Sequence, residues 1–444
     1  MANVRRGLPT ISLFSGALGL DLGLEEAGFD IRVAVESNPF AAETIRRNRP
    51  NIALIDRKIE DVSTSELLKA AKLKRGEPVL VVGGLCCQSF STAGQRASLA
   101  DPRGQLINEF LRVVRETRPR FFVMENVRGM LSAAENHRPL AKRGPGFRHL
   151  TRDEELGSGF VRVIKRLKAT GYHIVFDLLN AADFGVPQAR ERLLFIGSRD
   201  GEDMQMPSPS HARHPTGAQK PWVTLREALR GLKQPSPKFT NLPPAWMRFV
   251  ELVPAGGNWR DLPKHLHSRA LGSAYVSWGG RSGFFRRLAW DRPSPSLTTR
   301  PSSKATLLCH PKHLRPLSVA EYARIQQFPD EWDFSGGTPQ QYKQIGNAVP
   351  VGLGYAIGRA ISKVMQKWSR VRNRGVVCLN RNLIERLSKR PRTILNPPRM
   401  RRVKGVVAVD RWMNGRPRSR TELLKLFPDV HHEEPKPQLQ SKAG

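Results

Sequence analysis

The residues best placed to do chemistry lie in Gly83-Gly84-Leu85-Cys86-Cys87-Gln88-Ser89-Phe90-Ser91. The apolar run before them, Pro78-Val79-Leu80-Val81-Val82, has the composition of a buried parallel strand. A strand that ends in two glycines and then presents a thiol puts that thiol at its carboxyl end, where open α/β sheets hold their ligands. The glycines let the backbone turn sharply and let a substrate come close. The chemistry on offer is nucleophilic addition by a thiolate. A buried cysteine is more often a small core hydrophobe, so the reading depends on partners elsewhere in the chain.

Three such partners are visible. Phe121-Phe122-Val123-Met124-Glu125-Asn126-Val127 is an apolar strand that delivers Glu125 to the same sheet edge as the thiol. Burial there raises the pKa of a glutamate, so it can hold or donate a proton near neutrality. Gln188-Ala189-Arg190-Glu191-Arg192 runs directly into the strand Leu193-Leu194-Phe195-Ile196. Alternation puts Gln188, Arg190 and Arg192 on one face. Two guanidinium groups there would lower the pKa of a thiolate and bind an anion or a carbonyl oxygen. Gln344-Ile345-Gly346-Asn347-Ala348-Val349-Pro350 reads as a tight turn opening a helix. Taken singly, each has a blander reading: a surface acid, an exposed edge with salt bridges, a bare turn.

A second group points to a cofactor. Phe14-Ser15-Gly16-Ala17-Leu18-Gly19 separates a strand from a helix, so backbone N–H groups and a helix N-terminus face a ligand. Glu36 closes the next strand, at the spacing expected of a ribose partner. Asp61, in Ile59-Glu60-Asp61-Val62, could accept from an adenine amino group.

The elements that must position these residues alternate up to about residue 200. Strands are expected at residues 10–14, 31–36, 52–56, 79–82, 121–124, 173–179 and 193–196, and helices at 18–27, 39–47, 106–116 and 160–169. This is a doubly wound, mostly parallel α/β sheet. Residues 202–291 are rich in Pro, Gly, Trp and basic side chains and have little such periodicity, which marks a smaller second domain. Helices return at 317–328 and 353–364. The expected division is a catalytic and cofactor domain over 1–200, completed by 338–365, a second domain and hinge over 201–337, and a basic extension over 366–444.

The chain has 444 residues, with 73 Lys and Arg against 39 Asp and Glu, a formal charge of +34. Such a charge needs a polyanionic partner, and nucleic acid is the leading one. A membrane surface fits less well, since no apolar run is long enough to span a bilayer. Four cysteines without a Cys-x-x-Cys pair make neither a disulfide scaffold nor a zinc site, so no metal and a reducing compartment are expected. The apolar residues 8–24 are broken by Ser15, Gly16 and Asp21 and are not read as a signal peptide.

Taken in order, these segments resemble the DNA (cytosine-5) methyltransferases. The resemblance rests on FSGALGL, VAVESNP, GGLCCQSFS, DPRGQL, MENV, QARERLLFIG, RPSPSLTT, RPLSVAEYARIQQFP and IGNAVP, and covers about residues 8–365. It implies a Rossmann-like S-adenosylmethionine-dependent methyltransferase fold with a target-recognition domain. It implies that Cys87 adds to C6 of a flipped cytosine, Glu125 serves N3, Arg192 serves O2, and Arg190 supports the nucleophile loop. Phe14, Gly16, Gly19, Glu36, Asp61 and Asn347 would bind S-adenosyl-L-methionine. Gln95, Arg96, Arg103 and Gln188 would touch double-stranded DNA. In the second domain, Trp246, Arg248, Trp259, Arg260, Arg269, Tyr275, Trp278 and Arg281 suit phosphate and groove contact, and the arginines are favoured over the tryptophans for it. The family block at Pro293-Ser294-Pro295-Ser296-Leu297-Thr298-Thr299 is read as structural.

Two departures stand out. Leu85 and Cys86 replace two prolines of the family pattern, which leaves the loop less restricted. Leu18 stands where the family commonly has glycine. A cytoplasmic, prokaryotic monomer with a possible cognate restriction endonuclease is the expected setting. An RNA cytosine-5 methyltransferase and a non-catalytic DNA-binding relative are the alternatives.

Overall fold

The computed structural model describes residues 7–85, 102–138, 147–276, 283–366 and 377–379, with backbone alone at 102–105 and 377–379. The chain opens on β1 (Leu8–Leu13) and winds through α1 (Gly19–Glu26), β2 (Phe29–Val35), α2 (Pro39–Asn48), β3 (Ala53–Ile55) and α3 (Thr64–Ala71). It continues with β4 (Leu80–Gly84), α4 (Pro102–Thr117), β5 (Phe121–Val127), α5 (Ser158–Lys168) and β6 (His173–Asn180). The short β7 (Gln188–Ala189) leads into β8 (Glu191–Ser198).

Then come β9 (His211–Ala212), β10 (Lys220–Pro221), α6 (Leu225–Ala228), α7 (Pro244–Glu251), α8 (His267–Leu271) and β11 (Ser294–Pro295). The last elements are α9 (Val319–Ile325), α10 (Thr338–Asn347), α11 (Val351–Gln366) and β12 (Val377–Leu379).

Eight strands form one sheet in the order β12-β6-β8-β5-β4-β1-β2-β3. β8 is antiparallel to both β5 and β6, and the other neighbours are parallel. The central strands are apolar on both faces because helices cover both. On one face Leu67, Phe110, Val113, Phe160 and Leu167 pack against Val81, Phe122, Phe176 and Phe195. On the other, Leu20, Leu24, Leu353, Ile357 and Ile361 pack against Leu80, Val82, Phe121, Val123 and Leu194. The expected doubly wound, mostly parallel sheet is the observed one.

Local chemistry sets the helix ends. Asn38 caps α2 by accepting from the N–H groups of Phe40 and Ala41, at 3.1 Å each, and Pro39 fits the first helical position. Ser63 caps α3 through the N–H of Glu66. The turn read at 344–350 begins later than expected: Gln344 to Asn347 finish α10, and the break falls at residues 348–350.

Residues 242–309 hold a small apolar cluster of their own, with Phe249, Val250, Trp259, Phe285 and Leu307 at its centre. Trp259 is buried while Arg260 stacks over its ring at 4.9 Å. Arg248 likewise lies over Phe249 at 4.8 Å. The tryptophan thus packs inward, and these arginines keep their charge at the surface. Trp278 and Arg281 lie outside the described residues.

The tightest joint is between α1 and α11. A Cβ at Gly23 would lie 2.0 Å from the Val351 carbonyl oxygen and 2.4 Å from the Tyr355 nitrogen. Backbone is the obstacle, so the helices themselves would have to part. Gly23→Ala is therefore expected to cost about 3 kcal/mol by overpacking, measured by denaturant unfolding. A loss within about 0.5 kcal/mol would mean the helices do not approach this closely.

Candidate active site

The site forms at the carboxyl edge of the parallel strands. β4 pairs with β5 in the register Gly84↔Glu125, and the Leu85 N–H donates to the Glu125 carbonyl at 3.3 Å. The backbone is thus held up to the residue before Cys86. Cys86 and Cys87 themselves lie outside the described residues, as do Gln95 and Arg96, and the side chain of Arg103 is not described.

Glu125 is buried. Its Oε1 is 2.6 Å from Arg192 Nε, and the two residues are diagonal neighbours on one face, since Arg192 pairs with Val127 across β5 and β8. Its Oε2 faces the neighbouring strand: a Cβ at Gly84 would lie 3.4 Å from it. Burial pushes the Glu125 carboxyl up, and the charges of Arg192 and Arg190 oppose that rise. The arrangement suits a carboxyl that exchanges a proton with a substrate atom. Arg192 Nη1 also donates to the Glu191 carbonyl at 2.8 Å, and Arg128 lies 3.2 Å from the Glu191 carboxylate.

The expected alternation at 188–192 holds: Gln188, Arg190 and Arg192 are buried, whereas Ala189 is exposed. Arg190 is only 2% exposed. It donates to the carbonyls of Leu297 (2.9 Å) and Gly346 (2.7 Å) and to Gln188 Oε1 at 3.3 Å. Gln188, expected at the DNA, is instead fully buried. Its Oε1 accepts from the Leu297 N–H at 2.9 Å, and its Nε2 donates to Gln326 Oε1 at 2.7 Å. Gln326 in turn donates to the carbonyls of Ile345 and Ala348. The Gln188 amide is engaged inside the protein and presents no surface to a partner. β11 pairs with β7 in the register Ser294↔Gln188, so the 293–299 segment has its structural partner here.

Of the cofactor-binding candidates, Phe14, Gly16 and Glu36 meet at the turn after β1. Phe14, Gly16 and Leu18 all have positive φ, at 55°, 56° and 66°. Ser15 N–H donates to Val35 O at 3.2 Å, and Leu18 N–H to Ser15 O at 2.9 Å. Leu18 occupies the left-handed region that glycine adopts freely and an L-residue adopts at a cost of about 1–2 kcal/mol, which accounts for the glycine commonly found at this position. Its burial in a cluster with Leu22, Tyr322 and Phe328 offsets that cost.

Glu36 accepts the Gly16 N–H at Oε2 (2.8 Å) and the Asn38 N–H at Oε1 (2.7 Å). Each oxygen keeps a lone pair for a ligand hydroxyl. A Cβ at Gly16 would meet nothing within 4 Å among the described residues. These features fit a ligand with vicinal hydroxyls. Gly19 differs, because its missing Cβ is filled by the Val349 carbonyl oxygen at 2.5 Å and packing alone demands the glycine. Asn347, at the end of α10, and Asp61, at the end of the 3-10 turn Ile59–Asp61, are both exposed.

Two groups gave no clear signal in the sequence. Burial pushes the Glu36 carboxyl up, and Lys343 of α10 lies near enough for its charge to join the backbone N–H groups in opposing that rise. Asp21, in the first turn of α1, is 2% exposed, and its Oδ1 has no hydrogen-bond partner among the described residues. Burial pushes its carboxyl up to about 7, a hydrogen bond with Ser12 opposes this, and the charge of Glu25 adds to it. Ser12 Oγ lies 2.8 Å from Ser15 Oγ, so this acid sits just beneath the turn. The only hint of it is an acid within an otherwise apolar stretch.

Comparison with known proteins gives one family. The model for the C-5 cytosine-specific DNA methylases matches residues 8–363. Type II methyltransferase M.PspPI of Psychrobacter sp. (strain TA137) is 38% identical over 81% of this chain and 80% of its own length. Type II methyltransferase M.Sau96I of Staphylococcus aureus is 37% identical over 83% and 79%. Among solved structures, a putative DNA modification methyltransferase encoded within an Escherichia coli prophage shares the fold, with a TM-score of 0.55 and 23% identity over 80% of this chain and 99% of its own.

Asp21 makes the stability of the ligand-free protein depend on pH. The folded chain keeps this proton up to about pH 7, whereas the ordinary value is 3.8. Its contribution is undiminished below pH 3.8, falls as pH rises to about 7, and is lost above that. Asp21→Asn removes the titration. Its stability relative to wild type, from denaturant unfolding, should rise between pH 4 and 7 by on the order of 4 kcal/mol and then level off. A difference independent of pH would contradict this account.

Proposed function

The chain belongs to the C-5 cytosine-specific DNA methylase family, and from that membership we propose that it methylates C5 of a flipped cytosine at a specific short sequence in double-stranded DNA, through a covalent bond between Cys87 and C6. As a member it is a DNA (cytosine-5) methyltransferase. The observation that carries the finer reading is the position of Glu125: buried, held by Arg192 through one oxygen, and turned with the other toward the strand that leads to Cys87.

Cytosine C5 is a poor nucleophile. Addition of the Cys87 thiolate to C6 makes C5 enamine-like, and a proton at N3 makes the ring accept that addition. Glu125 holds that proton, since burial raises its affinity for one. The second Nη of Arg192 has no partner among the described residues and serves the cytosine O2. Once C5 has gained its methyl group, loss of the C5 proton expels the thiolate and restores the ring. S-adenosyl-L-methionine, when bound, supplies that methyl group. Glu36 would accept its ribose hydroxyls, Gly16 would let it approach the turn, and Phe14, Asp61 and Asn347 would complete the pocket. The target atom is unreachable in a stacked duplex, so the base leaves the helix at a cost of roughly a few kcal/mol. A restriction endonuclease of the same specificity is the partner this reading implies.

The test is to express the protein in a host without cytosine methylation and to sequence its genomic DNA for 5-methylcytosine at base resolution. Methylation at one short motif is expected, and none with Cys87→Ser. No methylation by a folded protein, or activity of Cys87→Ser with a dead Cys86→Ser, would contradict the reading. Glu125→Gln should lower turnover by about 10²–10⁴-fold and leave DNA binding intact. A rate near wild type would remove Glu125 from the chemistry.

A further inference from the structure

The turn that closes β1 is tied down from beneath by a string of three side chains. Asp21 of α1 is buried and shares a side-chain hydrogen bond with Ser12 of β1. Ser12 Oγ lies 2.8 Å from Ser15 Oγ, and the Ser15 hydroxyl donates to the Val35 carbonyl at 3.5 Å. The Ser15 N–H donates to the same carbonyl at 3.2 Å. Val35 is the residue before Glu36, which accepts the Gly16 N–H. The string therefore joins the turn to the strand end that carries the proposed ribose acceptor.

Counting hydrogens gives the string a direction. A carbonyl only accepts, and a hydroxyl has one hydrogen to donate. The Ser15 hydrogen goes to Val35, so the hydrogen between the two serines comes from Ser12. The hydrogen between Ser12 and Asp21 must then come from Asp21, and only the neutral acid has one to give. The other carboxyl oxygen fits the same state: Oδ1 is buried with no partner among the described residues, which costs a carboxylate far more than a carboxylic acid. Ionised, Asp21 would take the Ser12 hydrogen instead. Ser12 would then accept from Ser15, and the Ser15 hydroxyl would leave Val35. Among the described residues, the groups that act on Asp21 are Ser12 from β1 and, from α1, its own backbone N–H and the charge of Glu25; β2 and α11 add no charge. Glu25 is itself paired with Arg49 at 3.2 Å.

We infer that Asp21 is a positioning residue that holds the cofactor turn in its binding form through Ser12 and Ser15, and that its proton sets the direction of this string. The inference rests on the reading of this turn as the S-adenosyl-L-methionine site and adds a control on that site. The turn needs such a hold, because Phe14 and Leu18 keep positive φ at 55° and 66°, a conformation that persists only where the surroundings fix it. Burial pushes the Asp21 carboxyl up to about 7, so the string reverses near neutral pH. Below that pH the neutral acid holds the turn. Above it the hold is lost and affinity for the cofactor falls.

The test has two readouts on the full chain. The first is the Kd for S-adenosyl-L-homocysteine, without DNA, from pH 6 to pH 8.5. Asp21→Asn keeps a donor toward Ser12 at every pH, and the ratio of wild-type to variant Kd cancels titration of the ligand itself. That ratio should rise by about 5-fold or more across the range, as the competent fraction of wild type falls. Ser12→Ala cuts the string, so it should bind about 3-fold or more weakly than wild type at pH 6 and lose the rise. The second readout is the infrared carbonyl stretch of the ligand-free protein. A carboxylic acid band present at pH 6 and largely gone at pH 8.5 should be absent from Asp21→Asn and shifted in Ser12→Ala. A Kd ratio independent of pH, or a Ser12→Ala variant that keeps the wild-type rise, would overturn the inference. So would a band that Ser12→Ala does not move. A folded protein that shows the band and its shift but binds no ligand would count against the cofactor reading alone and leave the string standing.

Discussion

One buried guanidinium joins the parts of this molecule that sequence keeps far apart. Arg190 lies just before β8, yet it bonds the carbonyl of Leu297 and the carbonyl of Gly346 near the end of α10. Burying such a charge costs several kcal/mol unless its donors find partners. Here those partners are backbone carbonyls and Gln188, which is itself held by Leu297 and Gln326. The fit leaves no slack: a Cβ at Gly346 would lie 2.4 Å from the Thr298 carbonyl oxygen. Because α10 also carries Lys343 and Asn347, the same clamp fixes the end of α10 against the segment that leads into β8.

Burial pushes three carboxyls near this clamp upward, and each is opposed by different partners. For Glu125 the opposition comes from the charges of Arg192 and Arg190. Burial pushes the Glu36 carboxyl up as well, and there the backbone N–H groups of Asn38, Gly16 and Ser37 and the charge of Lys343 oppose the rise. Asp21 has hydrogen bonds with Ser12 and with its own backbone N–H against burial and the unfavourable charge of Glu25, and it sits under a turn in which three residues adopt left-handed conformations. Local strain of this kind persists where the surroundings over-determine it. The Ser12–Ser15 contact and the Glu36–Gly16 bond supply that constraint.

The sheet and its edge were largely legible in the sequence, because strands buried on both faces read as apolar runs and because period-two alternation assigned Arg190 and Arg192 to one face. The inward turn of Gln188 was not legible. Its partners, Leu297 and Gln326, lie more than a hundred residues away and nothing local signals them. Leu18 gave no sign of its positive φ, since leucine carries no preference for that region. The antiparallel entry of β8 depends on the short 3-10 turn Ala181–Phe184, which apolar periodicity does not encode. α3 gives a weak signal because its buried face is narrow, with Leu67 and Ala71 fully enclosed. β12, with three residues, is too short for any periodic signal.

The central claim is covalent catalysis by Cys87 under the control of Glu125. Incubation with S-adenosyl-L-methionine and a duplex carrying 5-fluorocytosine at the target tests it most directly, because fluorine at C5 blocks the final elimination and traps the adduct. The account predicts a protein–DNA complex that survives denaturation and whose tryptic peptide carries the base on Cys87. A trapped peptide modified at Cys86, or methyl transfer to normal cytosine with no trapped complex on the fluorinated duplex, would contradict it.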